Sequence, residues 1–251
     1  MSTARGARAR AREEVTAAIK DEARRQLAAE GAAKLSLRAV ARELGMVSSA
    51  LYRYFPSRDD LLTALIIDAY DSVGEAAEQA DAALLEQAAK ASGTSDTANK
   101  NKAEALAPVR RWIAVSEAVR AWALAHPHEY ALIFGSPVPG YTAPLTTVPA
   151  ASRVGLLFFS IVRDAHQGQG LAEPPLPEEL RPEAERLAAD LAPDLPPAVV
   201  AALVAAWAQL FGLIGFELFG QFNRVVEDRA AFFTHAATQL AHGAGLVPPR
   251  T

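Results

Sequence analysis

The chain has 251 residues, 51% of them apolar and 22% charged, so it can bury at least one sizeable core. Cysteine is absent, which excludes disulfides, thiolate nucleophiles and cysteine-ligated zinc. The formal net charge is −4, but residues 1–60 carry 12 Lys/Arg against 8 Asp/Glu while the remainder carries 13 against 21. A basic N-terminal piece on an acidic body suggests a polyanion-binding head. The opening MSTARGARARAREE has no apolar run of the signal-peptide kind, so a cytoplasmic protein is expected.

Nearly every segment predicts helix, because Ala, Leu, Arg and Glu dominate and neither strand alternation nor hairpin turn signals occur. A first helix is expected from about Arg10 to Glu30, with Val15, Ile19, Ala23 and Leu27 at i, i+4 spacing facing the core and Gly31 as its stop. Ser36 then caps a short helix over residues 37–44, and Gly45 ends it. A second short helix is expected over 48–54, closed by Phe55-Pro56, since the residue before proline avoids helical angles. Ser57 caps the next helix, which opens on Arg58, Asp59 and Asp60 and runs to about Lys90. Residues 91–103 read as a loop, and 104–125 as helix with Trp112, Val115, Val119 and Trp122 on one stripe. His126-Pro127 breaks that helix. Short helix over 128–134, irregular chain around Pro137, Pro139 and Gly140, and helix over 148–166 follow. A Pro-rich loop from 169 to 182 leads to one or two helical turns before Pro193. Helices over about 197–223 and 228–243 complete the chain.

Helix, short helix, glycine turn, short helix is the grammar of a helix-turn-helix. Leu51 and Phe55 share one face at i, i+4, while Ser48, Ser49, Tyr52, Arg53 and Tyr54 occupy the others. A recognition helix needs that division, with apolar anchors behind and short polar or aromatic groups in front to enter a major groove. Ser49 and Ala50 are small enough to let backbone approach base edges and thymine methyls; the tyrosine hydroxyls and Arg53 can reach phosphates. An ordinary surface helix of an α-helical bundle is the competing reading of the same segment.

SLRAVARELGMVSSALYRYFPSRDDLL resembles the DNA-binding region of TetR-like (tetracycline-repressor-like) transcriptional regulators. Ser36, Val40, Ala41, Gly45, Leu51, Tyr52, Phe55 and Arg58 occupy the positions of the family pattern, over about 45 residues. The resemblance implies phosphate contacts by Ser36 and Arg58, and groove and backbone contacts by Ser48, Ser49, Ala50, Tyr52 and Tyr54; Arg38 and Arg53 complete the expected DNA-facing set. Two departures stand out. Val47 replaces the usual capping Ser, so Ser48 is expected to take over as cap, and Ser48-Ser49 replace the common Lys-Gly. The preceding Arg5, Arg8, Arg10 and Arg12 read as an arm that can lie along phosphates or a minor groove, or else as a solubilising tail.

Residues 104–165 resemble, more loosely, the C-terminal ligand-binding domain of one group of these regulators, through Trp112, Trp122, His126-Pro127, Tyr130 and the 137–140 segment. Apolar walls with a few polar groups describe a small-molecule pocket, for which Trp112, Trp122, His126, Tyr130, Phe134, Phe158 and Phe159 are the candidates; simple core packing is the alternative for each. His126 and His128 fall on different helical faces, so no metal site is expected. The run AVVAALVAAWAQLFGLIGF is long enough to cross a membrane, but it is Ala-rich, has no basic flank and meets Glu217 at once. A helix buried all round is expected instead. With the last helix it would form a C2 dimer face using Trp207, Phe211, Gly215, Leu218, Phe232, Phe233 and Leu240. No motif for hydrolase, zinc-protease, nucleotide-binding or di-iron chemistry is present, so no enzyme and no cofactor are expected.

The expectation is an all-α protein: a three-helix DNA-binding head with its basic arm over 1–57, and a helical ligand-binding and dimerisation domain over 58–251. It would act in the cytoplasm, at the nucleoid, as a homodimer on a double-stranded DNA operator, released by a small molecule and independent of any membrane. A helical small-molecule-binding or scaffold protein whose N-terminal helices contact protein is the alternative.

Overall fold

The computed structural model describes residues 2–91, 97–168 and 170–247, with side chains throughout except at 2–5, 88, 91 and 97–107. Among these residues the secondary structure is helical: α1 (Ser2–Glu30), α2 (Leu37–Glu43), α3 (Ser48–Leu51), α4 (Arg58–Ala91), α5 (Thr97–Ala125), α6 (Pro127–Phe134), α7 (Val148–Gln167), α8 (Arg181–Leu191), α9 (Pro197–Leu218) and α10 (Arg229–Gly243). No strand forms among the described residues; a single antiparallel bridge joins Leu171 to Leu246 and ties the Pro-rich loop to the chain beyond α10. The all-α architecture is the one expected.

Several boundaries differ from expectation. α1 begins at Ser2, because the interleaved Ala and Arg of the supposed arm are strong helix formers and one Gly costs only about 1 kcal/mol. α5 begins at Thr97, so only residues 92–96 of the expected loop remain, and these lie outside the described residues. α8 makes three turns rather than one or two, since Pro182 suits its first turn and Ala184 and Ala188 bury at i, i+4. α9 stops at Leu218, where Gly220 takes a left-handed φ of 84°.

The chain groups into two compact units. One combines Met1–Asp71 with His126–Ala151, the other Ser72–Ala125 with Ser152–Thr251. The first unit is built on Ile19, Ala23 and Leu27 of α1, Val40 and Ala41 of α2, Leu51 and Phe55 around α3, and Leu61, Leu62 and Leu65 of α4. Segment 126–151 returns to this core: Leu132, Val138 and Tyr141 pack against it, and the Tyr141 and Thr63 hydroxyls pair at 2.9 Å. Arg24 of α1 donates to Asp21, Asp68 and Glu129, the last from α6.

In the second unit α9 packs against α5, α8 and α10. It buries Val199, Leu203, Leu210 and Ile214, and also Glu217, which accepts two hydrogen bonds from Arg120 at 2.6 and 2.7 Å. Both α9 and the Leu145–Gln167 segment are long and apolar enough to cross a membrane by length and composition. α9 is not buried all round, contrary to the sequence-based expectation: Trp207 and Phe216 are 40% and 55% exposed, because the three partner helices cover one side only.

Arg111 is buried with Asp81, which it meets at 2.6 and 2.9 Å, and also reaches the half-exposed Asp164 at 2.6 Å. Burial pushes the Arg111 guanidinium pKa down, but the hydrogen bonds to Asp81 and Asp164 more than restore it, so the group titrates above its ordinary value. Asp81→Ala removes the buried partner of a buried cation and leaves it only the half-exposed Asp164; it is expected to cost about 3 kcal/mol. Asp164→Ala, at an exposed partner, is expected to cost less than about 1 kcal/mol. Urea unfolding of the two variants beside the parent gives the comparison.

Candidate nucleic-acid interface

The helix-turn-helix is assembled from local capping and buried anchors. The Ser36 hydroxyl accepts from the Ala39 amide at 3.4 Å and opens α2, whose Leu37, Val40 and Ala41 are buried. Gly45 turns the chain with a φ of 64°, a conformation that side-chain-bearing residues rarely adopt. Val47, extended and with no side-chain cap, precedes α3; the expected transfer of capping to Ser48 does not occur, because Ser48 is already the first helical residue. Residues 52–54 continue as turn rather than helix, held by the Tyr52 amide on the Ser48 carbonyl and the Phe55 amide on the Leu51 carbonyl, both at 3.1 Å.

Leu51 and Phe55 point inward, 1% and 7% exposed. Ser48, Ser49, Tyr52 and Arg53 are exposed around them, as is Arg38 on α2; Ala50 and Ser36 are half-buried. These residues form one polar surface with the apolar anchors behind it. Tyr54 and Arg58 are employed differently. Tyr54 is half-buried against the core of the unit, and the Arg12 guanidinium lies 5.2 Å from its ring centroid. Arg58 donates to the carbonyls of Leu35, Ala32 and Ala33 at 3.1, 2.8 and 3.2 Å, so its guanidinium closes the turn after α1 where a phosphate contact was expected. Arg12 also donates to the Arg53 carbonyl at 3.4 Å.

Both regions of the chain have counterparts among known proteins. Residues 19–65 match the family described as bacterial regulatory proteins, tetR family, and residues 112–240 match the tetracyclin repressor-like C-terminal domain. The HTH-type transcriptional regulators Mb1846 of Mycobacterium bovis and Rv1816 of Mycobacterium tuberculosis are each 38% identical over 221 residues, which cover 87% of this chain and 86% of theirs. The chain belongs to the tetR family. It is therefore a DNA-binding transcriptional regulator. Among solved structures, the regulatory protein SCO4313 is 31% identical with a TM-score of 0.69, covering 93% of this chain and 98% of that one. PfmR, a TetR family regulator from Thermus thermophilus, has a TM-score of 0.52 at 15% identity over 92% and 99% of the two chains, a likeness of fold alone.

In this tetR-family chain the seven candidate effector residues divide between the two units. His126, exposed, and Tyr130 and Phe134 belong to the first; the Tyr130 and Phe134 rings lie 5.1 Å apart, and burial pushes the Tyr130 hydroxyl above its ordinary pKa. Trp112, Trp122, Phe158 and Phe159 belong to the second. There the Trp112 and Phe158 rings lie tilted at 45° with centroids 4.3 Å apart, and Trp122 donates its Nε1 to the Ser72 hydroxyl at 2.9 Å. The buried Trp112 Nε1 has no hydrogen-bond partner among the described residues. A cavity of about 190 Å³ in the first unit is lined by Leu27, His128, Ala131, Leu132 and Val138 among others, and by none of the seven.

Of the expected dimer-face residues, Trp207 and Phe232 are exposed, and Gly215, Leu218 and Leu240 are half-buried. Phe211 and Phe233 turn inward, at 9% and 2% exposure, with the Arg120 guanidinium 5.3 Å from the Phe233 centroid. Phe216 and Phe219, absent from the sequence-based set, are exposed at 55% and 49%. An almost wholly apolar helix has no periodicity to mark its outer face, so the sequence held no signal for them. Arg12, expected in a basic arm, instead lies on α1, donating to the Arg53 carbonyl with its guanidinium 5.2 Å from the Tyr54 ring centroid.

Leu51→Ala removes a fully buried anchor and is expected to lower stability by about 2–5 kcal/mol. Tyr52→Ala, at a residue 42% exposed, is expected to stay within about 0.5 kcal/mol of the parent while losing operator binding. Thermal unfolding and DNA binding measured on both variants separate the two roles.

Proposed function

We propose that this regulator is a homodimeric repressor without catalytic activity, released from a near-palindromic operator by a small molecule. It would act in the cytoplasm, at the nucleoid, and independently of any membrane. The observation that carries the reading is the inward turn of Leu51 and Phe55, which leaves Ser48, Ser49 and Tyr52 exposed on a head of net positive charge. Two such heads would enter successive major grooves about 34 Å apart. Ser48, Ser49, Ala50 and Tyr52 are the base-proximal group in this reading, with Ser36, Arg38 and Arg53 on the phosphates.

Dimerisation is supported by the exposed aromatic side chains on α9, on α10 and in the turn between them. Trp207, Phe216, Phe219 and Phe232 are all at least 40% exposed. A Cβ at Gly212 would meet nothing within 4 Å, so this glycine, costly inside a helix, serves no packing among the described residues. Close approach of a second copy would account for both features. The effector reading rests on Trp112, whose orphan Nε1 is a donor suited to an acceptor group on a largely apolar molecule. An effector that binds the DNA-incompetent conformation more tightly shifts the population by its differential affinity, and α4, shared by both units, is the element on which the two sites would act together.

Selection of bound duplexes from a random pool, followed by gel shift, tests the reading. An enriched inverted repeat is expected; recovery of no preferred duplex contradicts it. In sedimentation equilibrium at micromolar concentration the parent is expected as a dimer, and Phe216→Glu with Phe232→Glu as a monomer of unchanged helical content. A monomeric parent contradicts the interface.

A further inference from the structure

We propose that the N-terminal turns of α1 form a rigid rail along the DNA backbone, with Arg8 and Arg12 on its phosphate-facing side. The proposal rests on the reading of the head as DNA-binding and concerns a contact outside the helix-turn-helix. α1 is continuous from Ser2 to Glu30, and a helix advances about 100° per residue. Arg8 and Arg12 therefore lie about 40° apart, on the stripe that carries Val15 and Ile19 toward the core of the head. Arg10 lies about 160° from either. Where the core ends, the same stripe continues as arginine, overhanging the recognition segment.

Arg12 fixes the direction of that overhang. Its Nη2 donates to the Arg53 carbonyl at 3.4 Å, and its guanidinium lies 5.2 Å from the Tyr54 ring centroid. Arg8 stands one turn, about 6 Å, beyond it and is exposed. Nothing acidic precedes Glu13, and Glu13 and Glu14 sit about 100° and 200° round the helix from Arg12, too far round to neutralise the stripe. Exposed guanidinium groups at helical spacing are donors for phosphate oxygens, and such contacts are independent of base sequence. A preformed helix also avoids the ordering cost that a loose arm bears on binding.

Full-length protein and three variants, Arg8→Ala, Arg10→Ala and Ala9→Pro, are compared by fluorescence anisotropy. The probes are the duplex recovered by selection and a mixed-sequence duplex, at salt between about 50 and 200 mM. Arg8→Ala is expected to weaken both duplexes by the same factor and to flatten the slope of log K against log salt by about 0.9 per protomer, about 1.8 for a dimer. Arg10→Ala, with the same loss of charge, is expected to leave the slope nearly unchanged. Ala9→Pro keeps every charge and lies far from the buried core, but it ends the helix at residue 9; it is expected to lose as much as Arg8→Ala. Equal effects of Arg8→Ala and Arg10→Ala, or a parental slope for Ala9→Pro, would overturn the rail in favour of a loose arm or a free tail. If the parent retains no duplex at all, the DNA reading itself has failed, and that is seen before any variant is compared.

Discussion

Arg58 stands at the first position of α4 and donates to the carbonyls of Ala32, Ala33 and Leu35, which belong to the turn that follows α1. Those carbonyls lie beyond the last intrahelical hydrogen bonds of α1; the Ala32 carbonyl also accepts from the Leu35 amide at 3.3 Å. One guanidinium reaches all three and so clamps the start of α4 to the turn after α1. Leu51 and Phe55, the deep anchors of the recognition segment, share one buried cluster with residues of both helices. The clamp and the anchors depend on each other, because the turn that brings Arg58 into place is the one that follows Phe55-Pro56. The geometry of the DNA-facing surface follows from this closure. α4 continues unbroken from Arg58 to Ala91, so a rotation of that helix is felt at the same three carbonyls.

The helix-turn-helix was legible in the sequence because each of its parts has a local chemical cause. Ser36 caps, Gly45 supplies a left-handed turn, and Leu51 with Phe55 marks the buried face. The features that escaped the sequence are those made by distant pairs. Arg24 meets Glu129 across 105 positions and Thr63 meets Tyr141 across 78, and no local pattern announces either. Chain order assigns segment 126–151 to the ligand domain, whereas its contacts group it with the head. The start of α1 escaped for a different reason. Charge and glycine in RGARARAR suggest an arm, but Ala and Arg are among the strongest helix formers, and a helix already nucleated at Val15 and Ile19 propagates into them at little cost.

The second unit illustrates what an alanine-rich bundle needs besides apolar area. Ala side chains are nearly featureless, so helices that meet through them can slide by a turn with small loss of packing. Arg111 with Asp81, and Arg120 with Glu217, are buried or nearly buried pairs whose partners lie 30 and 97 positions apart. A slip of one turn would strand a charge, at several kcal/mol. Such pairs add less to stability than to register, and register decides which face of α9 is left uncovered. Glu217 faces Arg120 inside the unit, and Trp207 and Phe216, about 80° and 100° round the helix from it in opposite directions, flank the buried face.

The recognition helix itself has four residues, Ser48–Leu51, fewer than a helix needs to hold together in water. Its order is borrowed from Leu51 and Phe55 beneath, from the clamp at Arg58 behind and from Arg12 beside it. Tyr52 and Ser49 are thus presented to solvent only while the head is packed, and the interactions that stabilise the head also hold the surface proposed to meet DNA. On the proposed release by a ligand the converse would hold. The ligand would not need to cover the recognition segment or repel DNA, because loosening one of the three supports would disturb a helix too short to hold its geometry alone.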